Sequence, residues 1–174
     1  MTDVLVFNVK GTPAPQGSKS ARAIYKGRGA AREFTGRVAQ VEASKKVKPW
    51  RTAVVEAATH AIGAIGLFDD WEPYTGPVHV TVEFRFTRPA SHYRTGRFSH
   101  LLKDDAPDFV ITTPDVDKTC RSTLDALTQA RVITDDKLVA RLIATKVYCD
   151  RTDPAGATIM IRPLTVPARV KEVA

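Results

Sequence analysis

The residues with the spacing for chemistry are four aspartates, Asp115 and Asp117 in Pro114-Asp-Val-Asp-Lys118, then Asp135 and Asp136 further along. The first pair flanks a helix start, and its spacing lets both carboxylates lean towards one point near the first turn. Converging carboxylates repel one another and resist ionisation, and a hard divalent cation such as Mg²⁺ removes that penalty. A water held by such a cation is a competent nucleophile against a phosphodiester. For Asp136 to join the pair, the chain beyond the helix must pack back beside the helix start. The plainer alternative stays open at this point. Asp115 would cap the helix, Asp117 would complement its dipole, and Asp135 and Asp136 would be ordinary turn residues.

The elements that must position these acids follow from periodicity. Val4–Val9 alternates as a strand, and Pro49 opens a helix over residues 49–64, with Trp50, Val54, Ala58 and Ile65 recurring at helical spacing. Val78–Phe86 places Val78, Val80, Val82, Phe84 and Phe86 on one face of a half-buried strand. The helix after Pro114 runs from about Asp115 to Thr128 with Val116, Cys120, Leu124 and Leu127 as its apolar stripe. Leu138–Cys149 and Ala157–Ile161 read as the last strands. The order predicts an α+β fold, a mixed β-sheet with two main helices packed on it, in a single domain over residues 1–174. Residues 10–48 and 88–113 read as long basic loops, the first poorly periodic and partly mobile, and about 164–174 as a flexible tail.

Charge points the same way as the acids. The formal net charge is +7, which favours a polyanionic partner over a neutral one. Between Lys10 and Arg51 only Glu33 and Glu42 oppose a run of lysines and arginines. Lys19, Arg22, Arg94, Arg97 and Lys118 are the candidates for phosphate contact, which positions a duplex without reading bases. No apolar run has the length to span a bilayer, and MTDVLVFNVKG lacks the layout of a signal peptide, so a cytoplasmic protein with no membrane partner is expected. Cys120 and Cys149 are far apart in no metal-binding spacing, and Cys120 reads as core.

The run from Pro114 to Lys146 resembles the signature of the RusA family of Holliday-junction resolvases. That signature is Asp-x-Asp-Asn, a basic residue four after the second Asp, Leu-Asp-Ala-Leu, then Asp-Asp and a strand ending in Lys. Gly11-Thr-Pro-Ala-Pro-Gln-Gly-Ser-Lys19 and Val47-Lys-Pro-Trp-Arg51 look like the phage-borne branch of that family. The resemblance implies a homodimeric endonuclease of DNA recombination and repair. It would cut four-way or otherwise branched DNA with paired nicks, using Mg²⁺ or Mn²⁺. It implies Asp115, Asp117 and Asp136 as catalytic metal ligands, Arg121 as the essential basic residue, and Asp135 and Lys146 as supporting groups. Two positions depart from the pattern: the usual Asn is Lys118 and the usual Lys is Arg121. Arg121 can hold a phosphate but cannot give up a proton. Those departures leave a junction-binding protein of the same fold without turnover as the competing expectation.

Overall fold

In the computed structural model, residues 4–17, 20–41, 45–66 and 69–164 are described. Lys19 and the expected tail from residue 165 lie outside them. The first strand, β1 (Leu5–Lys10), alternates buried and exposed residues along its length. Two strands then form a hairpin, β2 (Ser20–Lys26) and β3 (Glu33–Val41), followed by α1 (Val47–Ala64) and β4 (Val78–Thr87). After a long connection come α2 (Val116–Gln129), β5 (Val139–Cys149) and β6 (Gly156–Pro163).

The main sheet has the order β1-β6-β4-β5. β6 runs antiparallel to both β1 and β4, while β4 and β5 are parallel. A parallel pair needs a crossover, and α2 supplies it, so the helix start lies near the end of β4 and its finish near the start of β5. The two helices pack against each other, and the core fills the space between them and the sheet. Trp50, Val54, Ala58 and Ile62 of α1 meet Phe7 and Val9 of β1, Val80, Val82 and Phe84 of β4, and Ile159 and Ile161 of β6. Trp50 is fully buried, its ring tilted on Phe84 and its Nε1–H donated to Thr123 Oγ1 at 3.1 Å. No helix among the described residues is long and apolar enough to cross a membrane.

The α+β class and the mixed sheet agree with the periodicity; two details differ. Residues 20–41 form the β2–β3 hairpin, not part of an irregular loop. Both faces of this ribbon meet solvent, so its strands show no apolar alternation by which to find them. Its turn is reached through Gly27 at φ +91°, where a Cβ would lie 2.2 Å from the Ala31 carbonyl oxygen. The buried face of α2 is also not the expected stripe. Cys120 and Leu127 are buried, but Val116 is exposed, and Thr119, Ser122 and Thr123 are fully buried instead. Their hydroxyls are satisfied: Ser122 Oγ donates to the Ala14 carbonyl at 2.6 Å, and Thr123 Oγ1 to the Thr119 carbonyl at 2.9 Å. A hydroxyl bonded one turn back lets a polar residue pack as an apolar one would.

Gly156 marks the tightest backbone approach in the sheet. A Cβ there would stand 1.9 Å from the Val9 carbonyl oxygen, between β6 and β1. Gly156→Ala is therefore expected to cost about 1–3 kcal/mol by overpacking. Thermal unfolding checks it, at about 2–4 °C of midpoint per kcal/mol for a chain of this size.

Candidate active site

Asp115 and Asp117 sit at the start of α2, both exposed. Asp115 occupies the N-cap with extended backbone (φ −65°, ψ 137°), yet its side chain makes no capping hydrogen bond. Its carboxylate is engaged by Lys118 instead, with Nζ 2.5 Å from Oδ2. The capping reading of this side chain thus does not hold. The Lys118 contact, with a smaller contribution from Lys146, keeps the Asp115 carboxyl below its ordinary range, while the same pairing pushes Lys118 up. Asp115 is therefore ionised throughout neutral pH.

Two tethers hold this helix start in place. Lys146, on β5, donates from Nζ to the carbonyls of Thr112 at 2.8 Å and Pro114 at 2.7 Å. It grips the backbone immediately before Asp115 rather than a carboxylate. On the other flank, the segment after β1 lies along α2: Gln16 N–H donates to the Lys118 carbonyl at 2.9 Å, and Ala14 accepts from Ser122. Arg51 of α1 joins the same assembly, pairing with Asp125 and donating to Gln16 Oε1. Asp125 thereby locks α1 to α2. The Arg51–Gln16–Asp125 lock itself was invisible in the sequence, since nothing in the spacing links those residues.

Arg121 is exposed one helical turn beyond Asp117 and has no hydrogen-bond or ion-pair partner among the described residues. An exposed guanidinium is chemically suited to pair with a phosphate in a fork. Cys120, the residue before Arg121, is buried, and burial together with Asp117 pushes its thiol up to about 11. It is inert core.

Asp135 and Asp136 lie at the other end of α2. Asp135 caps a single turn of 3-10 helix, accepting from Lys137 N–H at 3.0 Å and pairing with its ammonium at 3.1 Å. Those contacts hold its carboxyl below the ordinary range. Asp136 is exposed and shares a shallow depression with Arg51, Asp125, Thr128, Gln129, Thr134 and Asp135. β5 starts just after it at Val139 and reaches the Asp115 end of α2 at Lys146. Those seven steps of strand span about 23 Å. One chain therefore brings Asp115 together with Asp117, and Asp136 with Asp135, but keeps the two pairs apart. Among the described residues no group of three acidic, His or Cys side chains is arranged to hold a metal ion.

The remaining candidates for DNA contact divide. Arg22 lies on β2. Arg94 pairs with Asp104 at 2.6 Å and donates to the Leu102 carbonyl, so it organises its own loop. Arg97 covers the Phe98 ring at 4.6 Å and is exposed. The loop between β4 and α2 is ordered by residues the sequence did not single out for that task. Arg88 is buried, donates to the Pro107 carbonyl at 2.7 Å and lies over the Tyr148 ring, against which His92 packs edge-on. The stretch Asp108–Val110 then pairs with the outer edge of β5 at Lys146–Tyr148.

The helix start with its two acids, the Leu-Asp-Ala-Leu stretch of α2 and the strand β5 that carries Lys146 all fall inside a match to the family model Endodeoxyribonuclease RusA over residues 20–162. No curated protein matches the chain. The matched stretch runs from the start of β2 to Arg162 in β6, most of the chain, and on that extent the protein belongs to the RusA endodeoxyribonuclease family.

Proposed function

We propose that the protein is a Mg²⁺- or Mn²⁺-dependent endonuclease that resolves four-way or branched DNA by paired nicks, acting as a homodimer. The observation that carries this reading is a pair of exposed carboxylates, Asp115 and Asp117, at a helix start inside the family match, with Arg121, exposed and unpaired among the described residues, one turn on. Two carboxylates with water and substrate phosphate are a sufficient donor set for Mg²⁺, so the residues present fit the ion. When bound, the cation supplies an activated water and neutralises charge on the reacting phosphate.

The chain's own residues have separable tasks in this reading. Asp115 and Asp117 would hold the ion, and Lys146 fixes the backbone that carries Asp115. Arg121 grips the scissile phosphate in a fork and gives up no proton, so protonation of the leaving oxygen falls to water. Asp136 is too far along its own chain to reach Asp115, but a two-fold dimer can bring the partner subunit's Asp136 to it. A four-way junction is a pseudo-two-fold ligand, which favours a two-fold protein, and an isologous contact uses one patch twice. The open part of the β5 edge, with Leu142 and Ile143 exposed, supports a second copy there. A cytoplasmic site of action is consistent with a DNA substrate.

A second reading has its own support. Lys118 occupies Asp115 where a cation would bind, and among the described residues no third carboxylate completes a metal-binding group with Asp115 and Asp117. That arrangement suits a junction-binding protein without turnover. Incubating the protein with a synthetic four-way junction and Mg²⁺ or Mn²⁺ separates the two. Symmetrically paired nicks support the nuclease; tight binding with no cutting in either metal establishes the second reading.

Lys118 also yields a graded expectation. Lys118→Asn frees Asp115 from its solvent-exposed ion pair, a weak contact in water. The Mg²⁺ concentration for half-maximal cutting should fall by about two- to fivefold, while junction affinity weakens through loss of one cation. The sign of the pH effect follows from the depressed Asp115 carboxyl, which is ionised above its folded value and protonated below it. Without Lys118 that value rises, so the acid limb of the rate profile should move to higher pH.

A further inference from the structure

Among the described residues the β2–β3 ribbon has no element behind it. Its strands pair with each other, and no helix or third strand among the described residues packs on either face to any extent. A lone two-stranded ribbon is marginal in water, so one that carries apolar side chains on open faces is built to meet something. Tyr25 and Phe34 are cross-strand partners near its tip, 45% and 54% exposed, with ring centroids 5.7 Å apart and planes tilted by 57°. The Arg32 guanidinium lies over the Tyr25 ring, 4.3 Å from its centroid. Lys26, Arg28 and Arg37 are exposed on the same ribbon, and Glu33 is its one acid.

The charge decides what the ribbon meets. A second copy would bring guanidinium against guanidinium, which opposes that contact. Open aromatic faces among arginines and lysines are the make-up of a single-strand platform, where rings take bases and cations take the backbone. In a branched DNA the helices end at the crossover, so the terminal base pairs there show faces that a continuous duplex hides. We infer that the β2–β3 ribbon is a branch-point wedge, in which the Tyr25–Phe34 pair stacks on bases exposed at the crossover and Lys26, Arg28, Arg32 and Arg37 hold the flanking phosphates. This rests on the reading of branched DNA as the ligand, and it adds the element that tells a branch from a plain duplex. The basis of selection is stacking on exposed bases, not phosphate contact alone.

The test reads binding, not cutting, with divalent ions chelated. Wild type, Tyr25→Ala/Phe34→Ala and Tyr25→Leu/Phe34→Leu are titrated against a synthetic four-way junction and a linear duplex of equal length. The leucine pair keeps an apolar cross-strand contact to hold the ribbon while removing both aromatic faces. Both variants are expected to lose about tenfold or more in junction affinity, with the duplex affinity and the salt dependence little changed. A 2-aminopurine at the branch point should change fluorescence on adding wild type and not on adding the leucine pair. A leucine pair that binds the junction and shifts the fluorescence as wild type does overturns the wedge, because the rings then serve only to pack the ribbon. A wild type with no preference for the junction over the duplex overturns it too. Failure of the nuclease reading looks different: aromatic-dependent junction binding would persist while Mg²⁺ and Mn²⁺ produced no nicks.

Discussion

Asp117→Asn is expected to abolish cutting of a four-way junction, by on the order of a thousandfold or more, while junction binding stays intact or strengthens. The substitution keeps the size and position of an exposed side chain in the first turn of α2, so the fold has no reason to change. It removes one of only two carboxylates at that helix start, and it removes negative charge where a phosphate must come. Asp136→Asn should be equally inactive if that residue is a ligand, and the two variants together locate the third ligand. Were each site made within one subunit, mixed dimers of Asp117→Asn and Asp136→Asn would carry one defect in each site and stay dead. With Asp136 crossing to the partner, one site of the mixed dimer gathers both defects and the other is intact. Recovery of single nicks on mixing the two inactive proteins is the expected result, since about 23 Å of strand separates the two ends of α2 within a chain. Normal cutting by Asp117→Asn alone would remove the enzymatic role given to that residue.

How far the sequence could lead depended on which physical signal each part leaves. The sheet strands and α1 were legible because one side of each is buried, so Val78, Val80, Val82, Phe84 and Phe86, or Trp50, Val54 and Ala58, repeat at the period of the element. The ribbon was not, because Ile24, Tyr25, Phe34 and Val38 are exposed and interleave with arginines on both faces. The inner face of α2 was misread for the opposite reason: Thr119, Ser122 and Thr123 look polar, but their hydroxyls are paid off inside the helix and against Ala14. At the site, the placing of Asp115 and Asp117 at one helix start is a local matter that spacing makes legible. The position of Asp136 depends on how a parallel crossover runs, and one sequence does not encode that as a pattern. The family resemblance implies for Lys146 only a supporting role, and in the structure it is bound to two carbonyls of the loop before α2. Main-chain partners are uniform along any sequence, so no residue-type signal marks them.

That tether makes Lys146 the other position with a large expected effect. Lys146→Met retains the aliphatic stem but leaves the Thr112 and Pro114 carbonyls without their charged donor, one residue before Asp115. A charge-assisted hydrogen bond is worth about 1.5–3 kcal/mol, and a shift of roughly 1 Å in a reacting group can lower a rate by about a hundredfold. Cutting is therefore expected to fall by about ten- to a hundredfold. Junction affinity should change little, because the ammonium is already committed to the protein's own backbone. A phosphate-contacting lysine predicts the reverse pattern: weaker junction binding, a salt slope reduced by about one, and turnover of the saturated complex preserved. Measuring affinity against salt and single-turnover cutting on the same variant distinguishes them. The direction follows from geometry, since a lysine holding two carbonyls at 2.8 and 2.7 Å has one proton left to offer a ligand. Lys146→Arg should not rescue full activity, because a planar fork cannot reproduce two bonds made from a single nitrogen to carbonyls on either side of Thr113.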